Sequence, residues 1–371
     1  MLLDNLLTET KNIHMKKFSK ISAILLIPFI SFAIVNNCEA QITNPLHVVK
    51  DKSTDRANDK IDNGVDQGLN SVENVFKKKD KTKTKDTTTT TTETKKNDVQ
   101  KTKKVESETD TDIPTSKQIN ENRYALIIGN EDYSKFQPDL KSEANVDFAE
   151  NDARIFSEYV IKTLGTPSQN VNLLINATAA QMKQGLAKLN LIAKNSGGKA
   201  EVLLYYAGHG LPDETTKEPY MIPVDVNAST IDQAIKLDDA YNKLTEFPVE
   251  KATVFLDACF SGGARNQALQ SSRAIKINPK EVVIPKKLVV FTSCSGDQSS
   301  LPYNEKGHGI YTYFLCKKLQ DTKGDITYKE LGDYLKDKVS LESVVVNSKE
   351  QNPQIIVNPE LNDVWESWKL K

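Results

Sequence analysis

From about residue 122 onward, uninterrupted apolar runs alternate with stretches whose apolar residues recur at helical spacing. Runs of this kind are typical of strands that are buried on both faces. The stretches between them are typical of the amphipathic helices that cover those faces. We therefore predict an α/β fold over residues 119–371, a three-layer sandwich with a mostly parallel sheet of about six strands. The predicted strands are "RYALIIGN" (123–130), "NVNLLINAT" (170–178), "AEVLLYYAG" (200–208), "KATVFLDAC" (251–259), "KKLVVFTSC" (286–294) and "QIIV" (354–357).

The predicted helices fill the intervals between these strands and follow the last long one. Gly197 closes the predicted helix "AAQMKQGLAKLNLIAK", and Thr327 is the predicted N-terminal cap of the last helix. The helices are predicted at residues 144–164, 179–194, 237–247, 309–320 and 327–339.

Two reactive side chains lie at the ends of two of the apolar runs. His209 follows "VLLYYAG", and Cys259 ends "VFLDAC". Ligands of open parallel sheets bind outside the carboxyl ends of the strands, so adjacent strands would bring both side chains together. A cysteine attacks as a thiolate and a histidine can take its proton, while Gly208 and Gly210 leave room for a substrate backbone. The alternative is that both residues are structural, the cysteine acting as a small buried hydrophobe.

"YYAGHG" (205–210) and "FLDACFSG" (255–262) resemble the core of the caspase/metacaspase family of cysteine endopeptidases. "DACFSG" is closer to the metacaspases and bacterial orthocaspases than to the "QACRG" of animal caspases. The resemblance implies a caspase-like fold, with His209 as general base and acid and Cys259 as nucleophile. The backbone N–H groups of Gly210 and Cys259 are the expected oxyanion donors. Further similar segments are "ALIIGNEDY" (125–133), "ENDARIF" (150–156), "YMIPVD" (220–225), "FTSCSGDQSS" (291–300) and "GIYTYFL" (309–315).

The resemblance to metacaspases also implies an acidic S1 pocket formed by Asp152 and Asp257. Two buried carboxylates facing one cavity repel each other unless a cation joins them, so the pocket is expected to select peptides with Arg or Lys at P1. Ala207 stands where the family has a serine, which removes one hydrogen bond from the pocket. The alternative is that Asp152 lies on a solvated helix face and Asp257 caps a turn.

No cofactor is required for the proposed chemistry, but some metacaspases need calcium. Asp238 and Asp239 match two positions of their carboxylate cluster, and Glu218 is the candidate for a third. Ordinary solvent-facing carboxylates are the alternative. Cys294, after the fifth predicted strand, and Cys316, on an apolar helix face, are expected to pack in the core, and the alternative for Cys294 is a place at the rim of the site. His308, in "KGHG", is expected on a loop without a partner.

The loop at residues 262–287 is polar and rich in basic residues, as in a segment open to proteolysis. A protease selective for basic residues would find substrates in it, and family members are often split there into two subunits. Arg265, Arg273 and Lys276 are the candidate self-cleavage sites. A loop that stays intact is the alternative.

The first 118 residues differ from the rest. Lysines from Lys16 precede about fifteen apolar residues, and "CEA" precedes Gln41, the order of a secretory signal peptide at residues 1–40, with Met15 as an alternative start. Residues 41–118 are rich in lysine and threonine and predict a disordered linker or pro-segment. We expect a zymogen exported to the periplasm or the extracellular space, with no stable membrane span after cleavage of the signal.

The composition limits the other classes of function. A net charge of −1 argues against a dedicated nucleic-acid binder. The four cysteines are scattered and form no CxxC pair, which argues against a disulfide framework or a zinc site. Two alternatives remain: a catalytically silent scaffold that binds peptides, and a thiol amidase acting on cell-wall peptides. The sequence leaves the oligomeric state open.

Overall fold

The structure is a computed structural model that describes residues 106–261, 277–361 and 363–371. Its strands are β1 (Arg123–Gly129), β2 (Val171–Ile175), β3 (Glu201–Ala207), β4 (Gly210–Pro212), β5 (Pro219–Met221), β6 (Ile235–Lys236), β7 (Lys251–Asp257), β8 (Leu288–Thr292), β9 (Pro302–Tyr303), β10 (His308–Gly309) and β11 (Gln354–Val357). Its α-helices are α1 (Tyr133–Phe136), α2 (Ala149–Glu158), α3 (Ala179–Asn195), α4 (Leu237–Thr245), α5 (Ile310–Thr322) and α6 (Tyr328–Asn347).

Six strands form the central sheet in the order β11-β8-β7-β3-β1-β2, in which only β11 is antiparallel to its neighbour. This confirms the predicted mostly parallel sheet. Ala207 at the end of β3 pairs with Asp257 at the end of β7, and Leu256 pairs with Thr292 at the end of β8. The residues that follow these three strands therefore meet at one edge of the sheet.

Successive side chains of each strand point to opposite faces, and both faces are covered. On β3, Leu203 and Tyr205 pack into a core shared with α2, α5 and α6. Val202 and Leu204 pack into a second core shared with α3 and α4. The uninterrupted apolar runs of the sequence thus fill two cores at once, which confirms the predicted three-layer sandwich.

Phe255 lies at the centre of the first core, with its ring centroid 5.6 Å from that of Phe156 and 5.0 Å from that of Phe291. Because it has no exposed surface, Phe255→Ala should lower the free energy of unfolding by about 3–5 kcal/mol, measured by urea denaturation. Phe136→Ala is the control, since that ring is 41% exposed, and a change within about 0.5 kcal/mol is expected. Equal losses in both variants would contradict this packing.

The first long helix starts later than predicted. It begins at Ala149 rather than at residue 144, because Phe148 before it adopts a left-handed backbone conformation with φ 69°. Ser142–Ala144 form a separate 3-10 turn, which carries the carbonyl of Ala144 towards the sheet edge. The cap predicted for the last helix is confirmed, because Thr327 and Glu330 form a reciprocal capping box.

Residues 106–118, which the sequence analysis assigns to the linker, lie against the domain. Thr109 is buried, and its carbonyl accepts a hydrogen bond of 2.9 Å from the Tyr159 hydroxyl. The Thr163 hydroxyl donates one of 2.7 Å to the carbonyl of Pro114. This part of the predicted linker is therefore held by the residues that follow α2.

The remaining predictions for the N-terminal region, including the signal peptide at residues 1–40, lie outside the described residues. Within the described ranges, none of the helices combines the length and the apolar character that crossing a membrane requires.

Candidate active site

His209 and Cys259 lie at the tips of neighbouring strands. Each is two residues beyond a register partner, His209 beyond Ala207 and Cys259 beyond Asp257. The tips are in contact: a Cβ atom added to Gly210 would lie 2.7 Å from the carbonyl oxygen of Cys259. His209 is buried, and Cys259 is 3% exposed. Parallel register thus brings these two predicted residues to one point of the sheet edge.

A backbone carbonyl orients the imidazole of His209. Its Nε2 lies 2.7 Å from the carbonyl oxygen of Ala144. A carbonyl can only accept, so Nε2 carries the hydrogen, and the proton acceptor of the neutral ring is Nδ1. This partner was not predicted, because residue 144 was expected to begin the first long helix and no side chain marks a backbone carbonyl.

Two buried tyrosines hold the backbone of His209. Its N–H donates to the Tyr133 hydroxyl at 3.0 Å, and its carbonyl accepts from the Tyr206 hydroxyl at 2.6 Å. A Cβ atom on Gly208 would lie 2.7 Å from the Tyr206 hydroxyl oxygen. The space beside Gly208 is therefore occupied by these hydroxyls, and beside Gly210 by the Phe260 ring and the Cys259 carbonyl. Both glycines thus allow close packing within the protein, and that they also make room for a substrate backbone stays a prediction.

The other two cysteines of the described residues are buried. Cys294 follows β8, and its Sγ lies 3.7 Å from the carbonyl oxygen of Ala258. Cys316 lies in the core on α5. Burial raises the pKa of both thiols well above their ordinary value. Both therefore stay neutral at ordinary pH, and a neutral thiol is a poor nucleophile.

The two acidic residues predicted for the S1 pocket converge on Gly309. A Cβ atom at this glycine would lie 2.6 Å from Oδ2 of Asp257 and 3.1 Å from Oδ2 of Asp152. Both carboxylates are buried, and Ala207 is the register partner of Asp257. Asp257 accepts hydrogen bonds from the hydroxyls of Ser300 and Thr312.

His308 joins one of these carboxylates to an upstream residue. Its Nδ1 lies 2.6 Å from Oδ1 of Asp152, and its Nε2 lies 2.7 Å from Oδ1 of Asp110. His308 is fully buried in β10, so the expectation of a loop residue without a partner was wrong. No sequence signal pointed to Asp110, which lies in the predicted linker.

These contacts shift the pKa values of the cluster. Burial alone would lower the pKa of His308, but its hydrogen bonds to Asp110 and Asp152 outweigh burial and raise the pKa to about 9. Burial raises the pKa of Asp152 to about 7, against the hydrogen bond from His308. Only a substrate cation was predicted to compensate the negative charges of Asp152 and Asp257. In the structure His308 already supplies one positive charge.

The candidate calcium ligands do not form a donor set. Glu218 binds the Lys236 ammonium at 2.6 Å, which places a cation where calcium would need the carboxylate. Asp238 and Asp239 lie in the first turn of α4. Across the described ranges no three His, Cys, Asp or Glu side chains are grouped so that they could hold a metal ion. The described residues thus give no support to Glu218, Asp238 and Asp239 as calcium ligands, and the calcium site stays a prediction.

The candidate self-cleavage residues Arg265, Arg273 and Lys276 lie outside the described residues. The residues that flank them are joined, because the N–H of Ile277 donates a hydrogen bond of 3.0 Å to the carbonyl of Ser261.

A family sequence model described as Caspase domain matches residues 122–361. Among solved structures, a protein of Geobacter sulfurreducens is 17% identical with a TM-score of 0.49, covering 67% of this chain and 97% of that chain. Caspase-1 from Spodoptera frugiperda is 16% identical with a TM-score of 0.44, covering 67% of this chain and 90% of that chain. No curated protein matches the chain significantly.

Proposed function

Because the chain belongs to the caspase domain family, we propose that it is a cysteine endopeptidase in which Cys259 is the nucleophile and His209 the general base and acid. The observation that carries this proposal is the hydrogen bond from Nε2 of His209 to the carbonyl of Ala144. It reserves Nδ1 for proton transfer at a strand tip that contacts the tip bearing Cys259.

In the proposed reaction Nδ1 of His209 takes the thiol proton of Cys259, and the thiolate attacks the carbonyl carbon of the scissile peptide. The carbonyl oxygen becomes an oxyanion, for which the N–H groups of Gly210 and Cys259 are the proposed donors. The intermediate collapses to a thioester, and His209 returns the proton to the leaving amine. Water then hydrolyses the thioester, with His209 as the base, and restores the free thiol.

We further propose that the pocket beside Gly309 takes a basic P1 side chain. The carboxyl groups of Asp152 and Asp257 meet there, and His308 joins Asp152 to a third carboxyl group, that of Asp110. When all are ionised, negative charge exceeds positive charge even with His308 protonated. A buried excess of negative charge favours binding of a cation and disfavours a further anion.

A peptide panel tests this specificity. Fluorogenic peptides that differ only at P1 should give kcat/KM at least about a hundredfold higher for Arg or Lys than for Asp, since apposed like charges cost several kcal/mol. Citrulline, which has the shape of arginine without its charge, is the matched control and should fall between them. The assay is run with calcium and with a chelator. Turnover after Asp and none after Arg or Lys would contradict the pocket assignment.

Export and self-processing belong to the same proposal. The signal-like order of residues 1–40 supports export to the periplasm or beyond. Basic residues at 262–287 supply substrates for a protease of this specificity. Cleavage between Ser261 and Ile277 would leave both products bound, because β7 and β8 remain paired in the sheet.

A further inference from the structure

We propose that Asp110 is a specificity-determining residue of the S1 pocket, acting through His308 on the charge presented by Asp152. The inference rests on the proposed function, because it concerns the pocket for a basic P1 side chain. Asp110 lies upstream of residues 122–361, which match the family, so the position belongs to this chain's own N-terminal segment.

The hydrogen bonds determine the charge of the unit formed by Asp110, His308 and Asp152. Each ring nitrogen of His308 faces a carboxylate oxygen, at 2.6 Å and 2.7 Å. An ionised carboxylate only accepts hydrogen bonds, so one proton must lie in each bridge. Two protons shared by two carboxylates and one imidazole leave the unit with one negative charge.

Contacts of the two residues before it hold Asp110 in place. Before it, the Glu108 carboxylate accepts hydrogen bonds from the Tyr313 hydroxyl at 2.6 Å and from Lys306 at 3.0 Å. Next to it, the Thr109 carbonyl accepts from Tyr159. The Asp110 side chain is only 7% exposed. These contacts hold residues 108–110 against the domain, so Asp110 has a fixed position beside His308.

The other titratable groups near the unit do not change its charge at neutral pH. Tyr159, Tyr205 and Cys316 face its carboxylates, and burial raises the pKa of each. They stay neutral, so the local charge is set by the unit and by Asp257, which also faces Asp152. The pKa of Asp110 is lowered, because the hydrogen bond and charge of His308 outweigh its burial.

Asp110→Asn removes one negative charge at nearly constant volume. Two protons then remain on the unit, one in the bridge between His308 and Asp152 and one on the other ring nitrogen of His308. In this state the unit carries no net charge. A cationic P1 side chain loses one charge of attraction, which at an effective dielectric constant of about 20 corresponds to roughly tenfold in affinity. KM for Arg and Lys peptides should rise about tenfold with kcat changed less than about twofold, while the citrulline peptide is unaffected.

Asp112→Asn is the matched control, because Asp112 lies in the same segment and is exposed. It should leave KM for the Arg peptide unchanged. Equal KM values for the wild type, Asp110→Asn and Asp112→Asn would overturn the inference, as would an equal rise for the Arg and citrulline peptides.

A binding measurement separates this inference from the peptidase proposal. The dissociation constant of the Arg peptide is measured by calorimetry for Cys259→Ala and for Cys259→Ala with Asp110→Asn. A roughly tenfold weakening supports the role of Asp110, even if the wild type hydrolyses none of the peptides. An unchanged dissociation constant overturns it, whatever the wild type hydrolyses.

The pH at which His308 titrates in the folded protein distinguishes a specific role of Asp110 from a general loss of structure. The pKa of His308 is raised from its ordinary 6.5 to about 9, so its contribution to stability is present below pH 6.5 and is lost as pH rises through about 9. In Asp110→Asn, nuclear magnetic resonance of labelled histidine should find this titration at lower pH, with the folded spectrum retained. A titration identical to that of the wild type would overturn the inference.

Discussion

Replacing Cys259 with alanine is expected to abolish hydrolysis of Arg and Lys peptides, with a loss in kcat of at least about ten thousandfold. The sulfur is the only atom at this strand tip that can form the thioester, and alanine leaves the backbone unchanged. The initial rate with a fluorogenic Arg peptide measures the effect. The same two proteins on a denaturing gel test self-cleavage, which should split the wild type and leave Cys259→Ala as one band.

Cys294→Ala is the matched control for this experiment. Cys294 also follows a strand of the sheet, but burial raises the pKa of its thiol well above the ordinary value. Activity within about threefold of the wild type is expected, allowing for a small packing change. Full activity in Cys259→Ala, or an equal loss in both variants at unchanged melting temperature, would contradict the assignment of the nucleophile.

Gly309→Ala is expected to lower kcat/KM for Arg peptides by about a hundredfold. Its backbone, with φ −67° and ψ 144°, suits any residue, so the effect comes from the added methyl group alone. That methyl would lie 2.6 Å from Oδ2 of Asp257. Asp257 is held by Ser300 and Thr312, so its carboxylate can move only by breaking hydrogen bonds. Displacing a binding group by about 1 Å can cost about a hundredfold in rate.

Gly296→Ala provides the comparison for this substitution. Gly296 is exposed, and a methyl group there would meet Pro279 at 3.4 Å, an ordinary van der Waals contact. Its kcat/KM should remain within about twofold of the wild-type value. If Gly309→Ala hydrolysed Arg peptides at the wild-type rate, the space between the two carboxylates would not be the P1 pocket.

The architecture was readable from the chain because its cause is local. Residues such as Leu203 and Leu204 are consecutive and apolar, which a strand permits only if both faces of the sheet are covered. Parallel pairing then requires the carboxyl ends to share an edge. The positions of His209 and Cys259 follow from this, each two residues past a register partner.

The partners of these residues could not be read in the same way. Ala144 binds the imidazole of His209 through a carbonyl oxygen, and every residue in the chain has a carbonyl, so nothing in the side chain marks it. The glycines around His209 were visible in the sequence, but the atoms that occupy the space beside them were not. Tyr133 reaches His209 from 76 residues away in the chain.

By itself, the sequence determined the layers and the side chains carried to the carboxyl ends of the strands, since these depend on periodicity and on the geometry of parallel strands. Only the tertiary structure decided which groups surround those side chains. Asp110 and His308, 198 residues apart, share a hydrogen bond because the N-terminal segment folds back onto the domain. Such contacts depend on the packing of distant surfaces, and no local pattern of residues encodes them.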